Sequence, residues 1–186
     1  MSVVNYDELF TITRKLTNVI PSNKRKTKDL FSIKEGTFLE FKDKTFFVKE
    51  SITYSEKNKK GKIVDSWDEC EAICLEEKGK TYFVEVEDDD GLKIYFSHTI
   101  VKLRELGIKK SDIKQIVDEE DNIKYNNQKF YYDDDYIAFL GNSDEKVYFV
   151  DFEADNGDYL TIEQYEDGET KAYISSSVSG VEVIQA

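Results

Sequence analysis

Thr81-Tyr82-Phe83-Val84-Glu85-Val86-Glu87 and Leu92-Lys93-Ile94-Tyr95-Phe96-Ser97, separated by Asp88-Asp89-Asp90-Gly91, decide the fold class. Both runs are rich in β-branched and aromatic residues, and apolar and polar side chains take turns at a period of two. That is the period of a pleated strand with one buried face. Asp90-Gly91 supplies the positive-φ pair that a tight hairpin turn wants. The passage reads as strand, turn, strand.

The same grammar recurs on either side. Upstream, strands are predicted at 37–41, 45–54 and 67–75, with turns at Asp43-Lys44 and Lys78-Gly79 and a polar hairpin tip at 57–62. Alternation lapses between Thr99 and Val117, where Ser111-Asp112 ahead of Ile113, Ile116 and Val117 predicts a short capped helical segment. Strand signals then resume at 122–125, 129–132, 136–140, 146–153, 159–165, 170–174 and 181–184. Asn126-Asn127, Asn156-Gly157 and Asp167-Gly168 mark the turns between them. Before all of this, Tyr6, Leu9, Phe10, Thr13, Leu16, Val19 and Ile20 recur at spacings of three and four, which predicts an amphipathic helix ended by Pro21. The basic run Lys24-Arg25-Lys26-Thr27-Lys28 has no apolar pattern and reads as an exposed linker.

The expected architecture is therefore mainly β. A helix and basic linker over 1–29 precede two antiparallel meander or barrel-like units at 30–117 and 118–186, with a short helical segment between them. An internal duplication is one explanation of the shared grammar. Asp43-Lys44-Thr45-Phe46-Phe47 aligns with Asn127-Gln128-Lys129-Phe130-Tyr131, and Gly79 through Glu85 with Gly157 through Glu163. Common β-meander patterning is the other explanation.

Composition narrows the class. Of 186 residues 39% are hydrophobic and 13% aromatic, too much apolar material for a disordered chain. The net charge of −13 argues against indiscriminate binding to nucleic acid or an anionic membrane surface. Residues 118–186 carry 18 acidic and 4 basic groups, a net of −14, so the excess is concentrated there. Cys70 and Cys74 are too few for a disulfide framework, and on one strand they would stand about 13 Å apart at ~3.3 Å per residue. The N-terminal stretch lacks the charged-then-apolar run of a signal peptide, and no run of about 18 apolar residues occurs. A cytoplasmic location is expected.

Reactive constellations are sparse. A nucleophilic triad needs a base, and the single histidine, His98, stands at a strand end. Two cysteines fall short of the four ligands of zinc, and with Ala72 they read as one buried strand face. Asp151, Glu153 and Asp155 begin like a calcium loop, but Asn156 and Ile162 occupy its glycine and terminal-glutamate positions. Asp88-Asp89-Asp90-Gly91 and Asp133-Asp134-Asp135 read as solvated turns. No glycine-rich phosphate loop is present, and no cofactor or metal is expected. Glu85 and Glu163, at matching positions within apolar strands, are the carboxylates to inspect for an acid pair. Trp67 among many tyrosines, and Leu9 and Phe10 on the helix, form the expected interaction surface.

Several short motifs in order carry a resemblance. They are Lys34-Glu35-Gly36-Thr37, Phe46-Phe47-Val48, Trp67-Asp68-Glu69, Asn127-Gln128-Lys129-Phe130-Tyr131 and Leu160-Thr161-Ile162-Glu163. From Ile33 to Ile184 the chain resembles the bacterial family known as domain of unknown function 4178. Cys70 stands where that family usually has Tyr, and Tyr82-Phe83 where a Trp-Leu pair is common. The resemblance implies a mostly β fold and no established activity. The functional expectation is a non-catalytic protein-binding or accessory module, not an enzyme, whose partner is another protein. Alternatives are an acidic inhibitor or immunity-type protein that binds a basic partner, and a carboxylate-dependent hydrolase.

Overall fold

In the computed structural model, residues 6–88, 92–141 and 143–186 are described, without the side chains of Thr27, Lys28, Asp88 and His98. The predicted Asp90-Gly91 turn and the imidazole of His98 lie outside the described residues. Period-two alternation becomes eleven strands, 54% of the described chain. They are β1 (Phe38–Phe41), β2 (Lys44–Lys57), β3 (Ile63–Cys74), β4 (Lys80–Asp88), β5 (Leu92–Ile100), β6 (Asn122–Tyr125), β7 (Gln128–Leu140), β8 (Lys146–Ala154), β9 (Asp158–Tyr165), β10 (Thr170–Val178) and β11 (Glu182–Gln185). Two α-helices accompany them, α1 (Tyr6–Lys15) and α2 (Ile113–Asp118).

The contacts group into two units that interleave along the chain. One holds Met1–Ile52, Asp68–Phe96 and Val178–Ala186; the other holds Thr53–Trp67 and Ser97–Ser177. This differs from the successive segments 30–117 and 118–186 read from the sequence. Long strands run out of one unit and into the other, and β11 returns from the far end of the sequence to pair with β1, Leu39 opposite Val183.

In the first unit the strand order is β11-β1-β2-β3-β4-β5. Alternation sends Phe46 to one face and Phe47 to the other. Phe46 joins Leu39, Val48, Cys70, Ala72, Cys74, Val84 and Phe96 in one apolar cluster, so the two thiols are indeed small hydrophobes on a buried strand face. Burial pushes the Cys70 thiol up to about 11. Phe47 joins Phe38, Ile73 and Ile184 on the opposite face, covered by Leu9 and Ile12 of α1 and by Leu16 just beyond it.

In the second unit the order runs from the end of β5 through β10, β9, β8 and β7 to β6, and β2 also pairs with β7, Tyr54 opposite Leu140. One face carries Phe130, Val150, Phe152, Leu160, Ile162 and Ile174, covered by Val101, Leu106 and Ile113 from the helical connection. Fully burying a side chain such as Phe152 stabilises by about 1.5–3 kcal/mol.

Several local expectations are corrected. α1 stops at Lys15 rather than near Ile20, because β11 captures the segment beyond Lys15. Gln185 Nε2 donates to the Lys15 carbonyl at 2.9 Å, the Thr17 N–H donates to Gln185 Oε1 at 2.6 Å, and the Ile20 N–H donates to the Ile184 carbonyl at 2.7 Å. The basic run is no linker. Two 3-10 turns, Ser22–Lys24 and Thr27–Ser32, flank Arg25, whose guanidinium meets Glu182 at 2.5 Å and Glu40 at 3.5 Å. The first hairpin turns at Lys42-Asp43, both at positive φ, rather than at Asp43-Lys44. β3 begins at Ile63, not Trp67; residues 63–66 are exposed on both faces, so no alternation marks them. The predicted strands 129–132 and 136–140 are one strand, β7, because a bulge absorbs Asp133 between Tyr132 and Asp134.

Candidate functional site: a buried acid among tyrosines

On β9, residues Thr161, Glu163 and Tyr165 point away from the Leu160–Ile162 core face. Glu163 is fully buried there, which normally costs several kcal/mol unless the acid is paired or hydrogen-bonded. Both carboxylate oxygens are satisfied. The Tyr165 hydroxyl donates to Oε2 at 2.5 Å and the Tyr173 hydroxyl, from β10, donates to Oε1 at 2.8 Å. With its only proton committed to Glu163, the Tyr165 oxygen accepts from Lys171 Nζ at 3.2 Å and from the Tyr54 hydroxyl at 3.0 Å. The result is a branched network drawn from β2, β9 and β10.

Its electrostatics follow from that packing. Burial raises the Glu163 pKa above the usual carboxylate range, opposed by the two phenols and by Lys171. Burial and the neighbouring Glu163 drive the Tyr165 phenol far above its ordinary value. Tyr165 is therefore a donor and structural strut, not a group that ionises.

A second acid shares the face. Asp151 on β8 stands opposite Thr161, while Phe149, two residues back, stands opposite Glu163, so the acids are diagonal neighbours across β8 and β9. Such diagonals separate Cα atoms by roughly 7–8 Å. The Thr161 hydroxyl donates to Asp151 Oδ1 at 2.6 Å, and Tyr136 supplies a further hydrogen bond. Burial pushes Asp151 up to about 6, against those two hydrogen bonds and with help from Asp133 and Asp134.

Trp67 belongs to the same unit. It stacks on Tyr54 at 5.6 Å between ring centroids and meets Tyr136 and Phe149 edge-on, each at 5.8 Å. Tyr136 and Phe149 themselves stack at 5.1 Å. Tyr54 links this cluster to the acid network, so the structure brings Trp67 and Glu163 together. Trp67 is a half-buried member of an aromatic wall, not an open platform.

The other predicted residues lie in the first unit. Glu85 is half-buried and stands directly opposite buried Glu69 on one side and Tyr95 on the other. Leu9 and Phe10 part company. Leu9 packs beneath α1, its Cδ2 3.3 Å from the position of a Cβ on Gly79, whose φ of +77° favours glycine. Phe10 points outward, 59% exposed, with the Arg14 guanidinium 4.2 Å from its ring centroid.

The sequence does not single out Tyr54, Tyr136, Tyr165 and Tyr173 as site residues, and it marks Asp151 only as the start of a calcium loop. Their only sequence signal is that each occupies an alternate position of a strand, and the pairing that gathers them is long-range. Among the described residues no group of three or more His, Cys, Asp or Glu side chains could hold a metal ion, and no helix is long and apolar enough to cross a membrane. Asp135, in the three-aspartate run, accepts from Tyr132 at 2.5 Å and from Tyr148 at 2.8 Å.

The antiparallel meanders, with hydroxyl groups donating to the acids Asp151 and Glu163, define a mainly β protein. The chain belongs to the family described as Domain of unknown function (DUF4178), which matches residues 34–180. No curated protein and no solved structure matches it. Helix α1 and strand β11, which hold each other through Gln185, both fall outside the matched residues.

Proposed function

We propose that the chain is a non-catalytic protein-binding or accessory module that engages another protein through the outer face of α1. One observation carries this reading. Tyr6 and Phe10, one helical turn apart, are 68% and 59% exposed, while Leu9 and Ile12 anchor another face of the helix. Two exposed aromatics with Arg14 over one of them form the residue set that dominates binding hot spots. The anchored face presents them without a folding cost at binding. A cytoplasmic setting is part of the reading, supported by two free, buried thiols.

The test is capture from native lysate with the intact chain and with Tyr6→Ala/Phe10→Ala. A partner enriched by the intact chain and lost with the double variant, at unchanged melting temperature, supports the reading. An equal yield from both contradicts it.

A hydrolase reading has one observation in its favour, the diagonal placement of Asp151 and Glu163 on one face. Both acids, however, are held by hydroxyl donors from the protein itself. A panel of chromogenic glycosides and esters, turned over by the intact chain and not by Glu163→Gln, would favour it over the binding module.

A further inference from the structure

The first unit contains a cavity of about 250 Å³ whose walls are apolar at Leu30, Ile94 and Val181 and whose polar end is formed by Arg25, Lys26 and Glu182. Arg25 is the unusual member. Its side chain is only 11% exposed, Nε donates to the Ile20 carbonyl at 3.0 Å, and Nη1 serves Glu182 and, more distantly, Glu40. Among the described residues these contacts leave the two N–H groups of Nη2 without a protein acceptor, although a guanidinium carries five donors.

We propose that this cavity is a binding site for a small amphiphilic carboxylate, with the ligand's carboxylate on Arg25 and its apolar tail against Leu30, Ile94 and Val181. Charge sets the sign of the head group. The lining offers the cations Arg25 and Lys26 against the acid Glu182, with Glu40 outside the lining 3.5 Å from Arg25, and both acids are 44% exposed, free to turn to water when a guest takes their place. A guanidinium favours planar, two-oxygen acceptors, hence a carboxylate over a halide or a neutral amide. Volume sets the size. The space equals about eight water volumes at ~30 Å³ each, which matches a guest of roughly eight heavy atoms. The site lies apart from the outer face of α1, and the inference goes beyond the protein-binding reading.

Hexanoate, hexanamide and hexylamine are the probes, titrated into the full chain while amide chemical shifts of Gly180 and Val181 are followed by NMR. Saturable shifts with hexanoate, at least tenfold weaker for hexanamide and absent for hexylamine, are expected. Arg25→Met, which keeps an apolar stem, removes them. Because loss of Arg25 also strips Glu182 of its partner, Leu92→Phe provides a second arm: it narrows the cavity with Arg25 intact and also abolishes the shifts. The proposal is overturned by equal affinity for acid and amide, by no saturation at tens of millimolar, or by hexanoate binding that survives Leu92→Phe.

Discussion

Tyr165 donates its hydroxyl to Glu163 Oε2 from two positions along the same strand, at 2.5 Å. Residues i and i+2 of a strand share a face, so β9 carries an acid and its own donor, and Tyr173 from the neighbouring strand completes the pair. Tyr165→Phe leaves one buried carboxylate oxygen without its partner and should cost about 1–3 kcal/mol in denaturant unfolding. Glu163→Gln costs less than the sum implies once Tyr165 is gone. A double-mutant cycle should show a coupling of roughly 0.5–3 kcal/mol; additive losses would mean that the two groups are independent.

Asp151 gives the fold a pH dependence of definite sign. Its folded pKa, about 6, lies above its unfolded value. The folded state therefore holds the proton more tightly, and stability is present in full below the unfolded value and lost as pH rises toward about 6. Raised Glu163 acts in the same direction. Urea midpoints should fall between about pH 4 and 6.5, and Asp151→Asn should flatten part of that slope. A midpoint that rises across this interval in the native chain would contradict the burial of these acids.

Gln185 ties the last strand to the first helix by bonding on both sides of the α1 C-terminus. Gln185→Ala should lower stability by about 1 kcal/mol and speed amide exchange in α1 more than in β9. Uniform exchange in both elements would show that α1 is held by Leu9 and Ile12 alone.

Much of this architecture is legible in the sequence wherever one face of a strand is buried. Phe46-Phe47 and the Thr81–Glu87 run announce themselves because each alternate side chain meets a different environment. Residues 63–66 are silent because both of their faces are wet. β7 reads as two strands because bulged Asp133 breaks the period. Glu163 stands out as an acid inside an apolar strand, but its partners come from β2 and β10, and no local pattern encodes that meeting. Arg25 reads as part of a linker because its acids, Glu40 and Glu182, are distant in sequence. The turns Lys42-Asp43 and Asn126-Asn127 share the same paired positive φ, and each joins a four-residue strand to a long one.

The central claim, that the chain works by presenting the exposed face of α1 to a protein, is tested most directly by site-specific photocrosslinking. A benzophenone amino acid is placed at Phe10 in the full chain within its native cells, and the adducts are compared with those from the same probe at buried Ile12. One dominant protein adduct at Phe10, competed by untagged native chain and absent at Ile12, is the predicted result. No specific adduct at Phe10, or the same adducts from both positions, would contradict it.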